Sequence, residues 1–242
     1  MRRRLRVLDL FCGAGGAARG IRQAYSAVEL IGIDNVHQEG YPGVFVQGDV
    51  GDLSVKDIQS LADFVWASPP CQAFSVATPS SRAGFHSSTM LHRTRGILKM
   101  AGVPFAIENV PGAPLRRDIV LCGSMFGLRL IRHRVFELGG WFTLNPGHPS
   151  RCRGSVLRGE AVTVAGTASS RSMTWRDAMG LPDMVGESAL ANAVPPAYSR
   201  WIFSRWLDQA GKTVIAGRET DLHPTGRISG EHRLPDSLCG VL

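Results

Sequence analysis

Cys71 stands after two prolines and before Gln72. The prolines fix φ and stiffen the backbone that presents the thiol. A cysteine held this way can act as a nucleophile in an exposed, electropositive setting. It can equally be a small buried filler. Glu108-Asn109 joins an acid to an amide, and such an acid can hydrogen-bond or protonate a ring nitrogen. Arg132-His133-Arg134 puts two arginines on one side of an extended segment, because side chains there alternate. That pair suits an anionic or carbonyl-bearing ligand, or a plain surface strand. Phe11-Cys12-Gly13-Ala14-Gly15-Gly16 is a glycine-rich turn where backbone can approach a ligand closely. Asp34 lies 18 residues past Gly16, near the offset at which an acid meets a ribose diol. Asp49 suits an adenine amino group or a turn cap. His148 and Cys152 are separated by three residues; a metal site needs two more ligands, and none sits at standard spacing, so no metal is expected.

Positioning these groups falls to short apolar runs. Arg6-Val7-Leu8-Asp9-Leu10-Phe11 reads as a buried strand, followed by a helix over residues 17–25. Further strands are expected at 29–34, 44–46, 63–67 and 104–107, with a helix at about 90–101. Alternating strands and helices predict an α/β fold with a doubly wound, mostly parallel sheet. Ligands bind beyond the carboxyl ends of such strands. That rule sets Asp9, Asp34, Asp49, Cys71 and Glu108 along one edge. Residues 75–89, rich in Ser, Thr and Gly, read as a mobile loop. The stretch 139–172, rich in Gly, Pro, Ser and Arg, interrupts the alternation. A short helix at 174–181 and a longer one at 195–209 follow. Tyr198, Trp201, Ile202 and Trp206 at helical spacing read as core. The expected organisation is a first catalytic part at 1–138, an insert at 139–172, a return at 173–210 and a flexible tail at 211–242.

The chain has 242 residues, 27 basic and 20 acidic, for a net charge of +7. Length favours one domain. With 44% hydrophobic and 19% charged residues the profile is neither disordered nor membranous. No apolar run reaches the ~18 residues of a membrane span, and no signal-peptide core follows the basic start, so a cytoplasmic protein is expected. The five cysteines are scattered, which argues against a disulfide framework or a four-cysteine zinc site. The charge has an address: residues 116–176 hold ten arginines and three acids. Arginine pairs bidentately with phosphate and base edges, so a polyanion partner is expected.

Asp9 to Gly16, Pro69-Pro70-Cys71-Gln72, Glu108-Asn109-Val110 and Arg132-His133-Arg134 occur in one order that resembles the DNA (cytosine-5)-methyltransferases. Trp175-Arg176-Asp177-Ala178-Met179-Gly180-Leu181-Pro182 and Ala191-Asn192-Ala193-Val194-Pro195-Pro196 are similar to that family's two C-terminal motifs. The small, arginine-rich form is most like versions carried by bacteriophages and actinobacteria. The resemblance covers about residues 6–207 and implies a Rossmann-like, S-adenosylmethionine-dependent methyltransferase. It implies that Cys71 attacks C6 of a cytosine, that Glu108 acts at N3, that Arg134 holds the base near O2, and that Arg132 steadies the cysteine region or a phosphate. The cofactor, S-adenosylmethionine, would be bound by Asp9, Phe11, Gly13, Gly15, Asp34, Asn35, Asp49, Val50 and Pro69, with Asn192 closing the pocket. Gln72, Ser75, Arg82 and His86 would contact substrate. Double-stranded DNA is the implied partner, its target base flipped from the stack. No membrane is implied, monomer is the family default, and the setting is the cytoplasm of a bacterium or a phage-infected host. Restriction-modification is the family's usual context.

The chain departs from the family pattern in four places. Leu130 stands where a glutamine often precedes the arginine pair. Ala191 and Ala193 replace a glycine and a serine around Asn192. Asn35 follows the ribose acid where an aromatic is common. The target-recognition insert is very short, so few side chains can read bases in a groove. A relative acting on RNA or a free pyrimidine nucleotide, and a non-catalytic nucleic-acid binder, are the competing readings. Intact Cys71, Glu108, Arg132 and Arg134 argue against the last.

Overall fold

The computed structural model of the chain describes residues 4–71, 74, 85–148, 152, 156, 158–164 and 172–211, with backbone alone at 85–87 and 172–174. Its centre is a seven-stranded sheet: β1 (Arg6–Leu10), β2 (Glu29–Asp34), β3 (Val44–Gln47), β4 (Phe64–Ala67), β5 (Phe105–Asn109), β6 (Ile119–Leu121) and β7 (Arg134–Gly139). The order is β3-β2-β1-β4-β5-β7-β6. Neighbours from β3 to β5 are parallel, whereas β7 runs antiparallel to both β5 and β6. Strand order reverses between β1 and β4, which opens a crevice at the carboxyl ends.

The central strands are apolar at almost every position because helices cover both faces. Alternate residues point to opposite sides. Val7, Leu30, Phe64, Trp66 and Ala106 face one cluster, which contains helix α1 (Gly16–Ala24) and helix α6 (Pro196–Ala210). Leu8, Leu10, Ile31, Ile33, Val65, Ala67 and Ile107 face the other, beneath helix α2 (Val55–Leu61) and helix α3 (Phe85–Ala101). A third cluster joins Leu130 and Val164 to helix α4 (Ser172–Met179), to helix α5 (Glu187–Asn192) and to Leu181 and Met184. The aromatic run of α6 is core as expected: Tyr198, Ile202 and Trp206 are buried, and Trp201 packs against the cluster half-buried.

Helices α1 and α6 touch through small residues. A Cβ on Gly20 would lie 2.0 Å from the Pro196 carbonyl oxygen, and the Ser199 hydroxyl donates to the Ala17 carbonyl at 2.8 Å. No side chain larger than hydrogen fits at residue 20.

Several elements were not expected from the sequence. Helix α2 starts on a capping box, with the Ser54 hydroxyl accepting from the Asp57 amide and the Asp57 carboxylate accepting from the Ser54 amide. Strands β6 and β7 and the short α5 are likewise additions. Helix α3 begins at Phe85, five residues before the expected start, and so takes in the end of the expected loop. Residues 72–73 and 75–84 and the expected tail beyond residue 211 lie outside the described residues.

Candidate active site

Three elements bring the chemistry together. Cys71 lies four residues past β4, Glu108 lies near the end of β5, and Arg134 opens β7. The antiparallel register sets Glu108 opposite Phe136 and Asn109 opposite Val135, which brings Arg134 to the same end as Glu108. Arg134 Nε lies 2.7 Å from Glu108 Oε1, and both side chains are largely buried. That oxygen has no aligned hydrogen-bond donor in spite of the short contact. The ion pair therefore attracts without saturating the carboxylate, and Oε1 keeps a lone pair for a ligand.

The Cys71 thiol is half-buried, and its pKa is raised above the ordinary thiol value. Burial is the first cause and the Glu108 charge the second, while Arg134 and Arg132 pull the other way. Without a ligand the sulfur is held as the thiol.

Asn109 is a residue that sequence reasoning noted but gave no role. Its Nδ2 donates to the Pro69 carbonyl at 2.9 Å, 40 residues away, and its Oδ1 accepts from the Val110 amide. Asn109 is buried and fastens the Cys71 loop to the strand that carries Glu108. Replacing Asn109 by alanine orphans the Pro69 carbonyl and is expected to destabilise the fold by about 1–3 kcal/mol. Urea unfolding measures this; an unchanged midpoint would show that the tie carries no weight.

Arg132, expected to steady the cysteine region or a phosphate, lies where its charge acts on Cys71, and its hydrogen bonds go to backbone carbonyls. It is buried and directs Nη1 to the Val164 carbonyl at 2.5 Å and Nη2 to the Ala191 and Ala193 carbonyls at 2.6 and 3.2 Å. At 5% exposure it offers a phosphate little access, and its Nε is buried without a hydrogen-bond partner. Its own carbonyl accepts from the Tyr198 hydroxyl. Burial, then the neighbouring Arg134, push the guanidinium down to about 9. Arg132 works as a clamp between the segment that leads into β7, the Val164 stretch and the Asn192 turn.

The glycine-rich turn shows the backbone conformations expected of a close ligand approach. Gly13 and Gly15 have φ of 47° and 76°, and Phe11, a bulky residue, is itself at φ 56°. Such a φ on an aromatic residue is strained. A Cβ on Gly13 would meet nothing within 4 Å, so space lies open above it. Asp34 Oδ2 accepts from the Gly13 amide at 2.9 Å and Oδ1 from the Val36 amide at 3.0 Å, which leaves two lone pairs on a half-exposed carboxylate. Asn35 is exposed, and its carbonyl accepts from Gln47. Asp49 is exposed and caps the 3-10 turn Val50–Asp52 through the Gly51 amide at 2.7 Å, with Val50 buried behind it. Pro69 is buried.

Asp9 lies deeper than the strand-edge rule sets it, at 1% exposure. Its Oδ2 accepts from the Tyr41 hydroxyl at 3.2 Å, and its Oδ1 has no partner. Burial pushes its carboxyl up to about 7. Asn192 is exposed at the end of α5. The next two residues lean on the glycine turn: a Cβ on Gly16 would lie 2.5 Å from the Val194 carbonyl oxygen. Of the expected substrate contacts, Gln72, Ser75 and Arg82 lie outside the described residues, and His86 falls in the first turn of α3 with its side chain outside them.

The arginine window is divided. Arg132 and Arg134 are buried in the site, Arg129 donates to the Gly159 and Glu160 carbonyls, and Arg116 and Arg158 pair with Asp118 and Glu160 at the surface. In the same region Cys122, His133, His148 and Cys152 each place one ligand atom within 4.8 Å of the others. Cys122 and His133 reach the His148–Cys152 pair from elsewhere in the chain.

Residues 5–118 match the family model of the C-5 cytosine-specific DNA methylases. The match takes in Cys71 and Glu108 and stops short of Arg132 and Arg134. The type II methyltransferase M.XorII of Xanthomonas oryzae pv. oryzae is 28% identical over 118 residues, which are 43% of this chain and 28% of that protein. The type II methyltransferase M.HgiCI of Herpetosiphon aurantiacus is 33% identical over 117 residues, 45% of this chain and 28% of that protein. The alignments thus span about a third or less of the length of the curated relatives. A solved Entamoeba histolytica methyltransferase superposes with a TM-score of 0.60 at 14% identity, over 87% of this chain and 100% of that one, and supports the Rossmann-like fold.

Proposed function

We propose, from the match of residues 5–118 to the model of the C-5 cytosine-specific DNA methylases, that the protein methylates C5 of cytosine in double-stranded DNA. The observation that carries this reading is the convergence of Cys71, Glu108 and Arg134 at one end of β4, β5 and β7.

S-adenosylmethionine, when bound, supplies the methyl group. The residues present fit it: open space above Gly13, two unused lone pairs on Asp34 and the unpartnered Oδ1 of Asp9. Gly13 and Gly15 would offer backbone, Asp34 the ribose acceptor and Asp49 an acceptor for the adenine amino group. Phe11, Asn35, Val50 and Pro69 would line the pocket, and Asn192 would close it.

The protein residues do the rest. A target inside a duplex must leave the stack to reach Cys71. As the Cys71 sulfur adds to C6 it gives up its thiol proton, which would pass by way of solvent to Glu108 and be held at N3, so that C5 becomes nucleophilic. Arg134 orients the Glu108 carboxylate and reaches the base near O2. After methylation C5 would give its proton to water, the C5–C6 double bond re-forms, the C6–sulfur bond breaks, and Cys71 leaves as the thiolate while the N3 proton returns to Glu108. Arg132 acts one step back, by holding Arg134's segment and the Asn192 turn in one unit. No helix among the described residues is long and apolar enough to cross a membrane.

Radiolabelled methyl transfer from S-adenosylmethionine to duplex DNA, to RNA and to free cytidine nucleotides tests the reading. Label recovered as 5-methylcytosine in the duplex alone is the expected result. Label at another position, or in RNA or free nucleotide only, overturns it. Bisulfite sequencing of host DNA after expression then gives the target.

A further inference from the structure

We propose that Cys122, His133, His148 and Cys152 bind a zinc ion that fastens the insert to the catalytic edge. The four come from three separate places. Cys122 follows β6 directly, His133 sits between the two site arginines just ahead of β7, and His148 and Cys152 belong to the insert. All four are residue types that zinc prefers, with no carboxylate among them.

The spacing among the ligand atoms carries the proposal. Tetrahedral zinc with ordinary bond lengths requires about 3.8 Å between two sulfurs, ~3.3 Å between two nitrogens and ~3.5 Å between sulfur and nitrogen. The two sulfurs lie 3.6 Å apart and the two Nε2 atoms 3.0 Å apart. Cys152 Sγ lies 3.3 Å from His133 Nε2 and 3.6 Å from His148 Nε2. These four of the six edges match a tetrahedron to within a few tenths of an ångström, and all six lie within 4.8 Å. The sulfur separation is far too long for a disulfide bond of about 2.05 Å. Ser124 Oγ lies 3.5 Å from Cys122 Sγ, in the place of a supporting donor to a metal-bound thiolate.

The insert shows why such a site is useful. Phe142 and Leu144 are 72% and 83% exposed, so this part of the insert buries little of its own apolar surface. Segments too small for a core are commonly held by a metal instead. At its far end the insert is tied by backbone: the Ile131 amide donates to the Val162 carbonyl, and the Val162 amide to the Arg129 carbonyl. The metal would supply the matching tie at the near end. Because His133 lies between Arg132 and Arg134, the ion would also fix the arginine pair.

Metal analysis of the full chain, purified without chelator, tests this directly. About one zinc per chain is expected. Cobalt(II) in its place should give the visible bands of a four-coordinate thiolate site. The double variant His148→Ala, Cys152→Ala leaves the buried Cys122 in place, and should retain zinc at least ~10-fold less well against a competing chelator. Circular dichroism establishes that the variant is folded. Folded wild type with little zinc and no cobalt bands overturns the proposal, as does a folded variant that holds zinc like wild type. A Cys122–Cys152 disulfide in protein kept under reducing conditions would overturn it too. None of these readouts depends on methyl transfer.

Discussion

Cys71→Ser is expected to lower methyl transfer to cytosine by at least ~10³-fold while leaving the protein folded. A serine hydroxyl is a far weaker nucleophile than a thiolate unless a base activates it. Cys71 is only half-buried in a loop, and the ties that hold the loop come from Asn109 and Pro69 rather than from the sulfur. Radiolabel transfer on duplex DNA measures the loss, and transfer persisting in the variant would sink the covalent mechanism. The raised thiol pKa adds a pH signature. The sulfur stays protonated at neutral pH, so its reactivity should climb with pH and keep climbing past the ordinary thiol value. Burial comes first among the causes and the Glu108 charge second. Glu108→Gln removes that second cause. The variant's Cys71 should alkylate faster than wild type at a given pH, by mass spectrometry, although its methyl transfer falls. Slower alkylation in the variant would mean that Glu108 activates the sulfur rather than restraining it.

Arg132→Met should be the most damaging change away from the nucleophile. Methionine keeps much of the side-chain volume but leaves the Val164, Ala191 and Ala193 carbonyls without their charged donor. Hydrogen bonds to a charged group contribute ~1.5–3 kcal/mol each, and orphaned buried acceptors add to the loss. A destabilisation of about 3 kcal/mol is expected, which lowers the melting temperature by roughly 6–12 °C in a chain of this size. Because the Ala191 and Ala193 carbonyls flank Asn192, affinity for S-adenosylmethionine should fall together with stability. A variant that melts normally and loses only DNA affinity would restore the phosphate reading of this arginine.

The first five strands were legible in the sequence because each is a short apolar run ending in a polar or reactive residue, and parallel strands buried on both faces produce that pattern. Strand β6 was not, since three residues carry no usable period. Strand β7 was hidden for another reason. Arg134-Val135-Phe136-Glu137 draws the eye as a charged motif, yet Glu137 is buried against Arg95, and the strand is wedged between β5 and β6. The glycine turn, Cys71, Glu108 and the arginine pair could be named from residue type and order. Their division of labour could not. Arg132 and Arg134 look equivalent in an alternating segment, and only the tertiary partners make one a clamp and the other a carboxylate's neighbour. The cysteine and histidine cluster was out of reach for a similar reason: Cys122 and His133 meet the insert pair only because a strand reversal folds them onto it.

The contact between α1 and α6 has a consequence for how the protein is made. Ala17 and Ser199, bonded across the interface, are 182 positions apart in the chain. A ribosome has long since released the first four strands, with the nucleophile segment, before α6 emerges. Until then the glycine and alanine face of α1 has no cover, and neither Tyr198 nor the Val194 carbonyl is in place. A nascent chain stalled before α6 therefore carries a cysteine with no closed pocket beside it and an apolar face for chaperones to shield. On the proposed function, activity would begin only once translation has passed α6, so interrupted synthesis would yield inert product rather than an enzyme that reacts out of control.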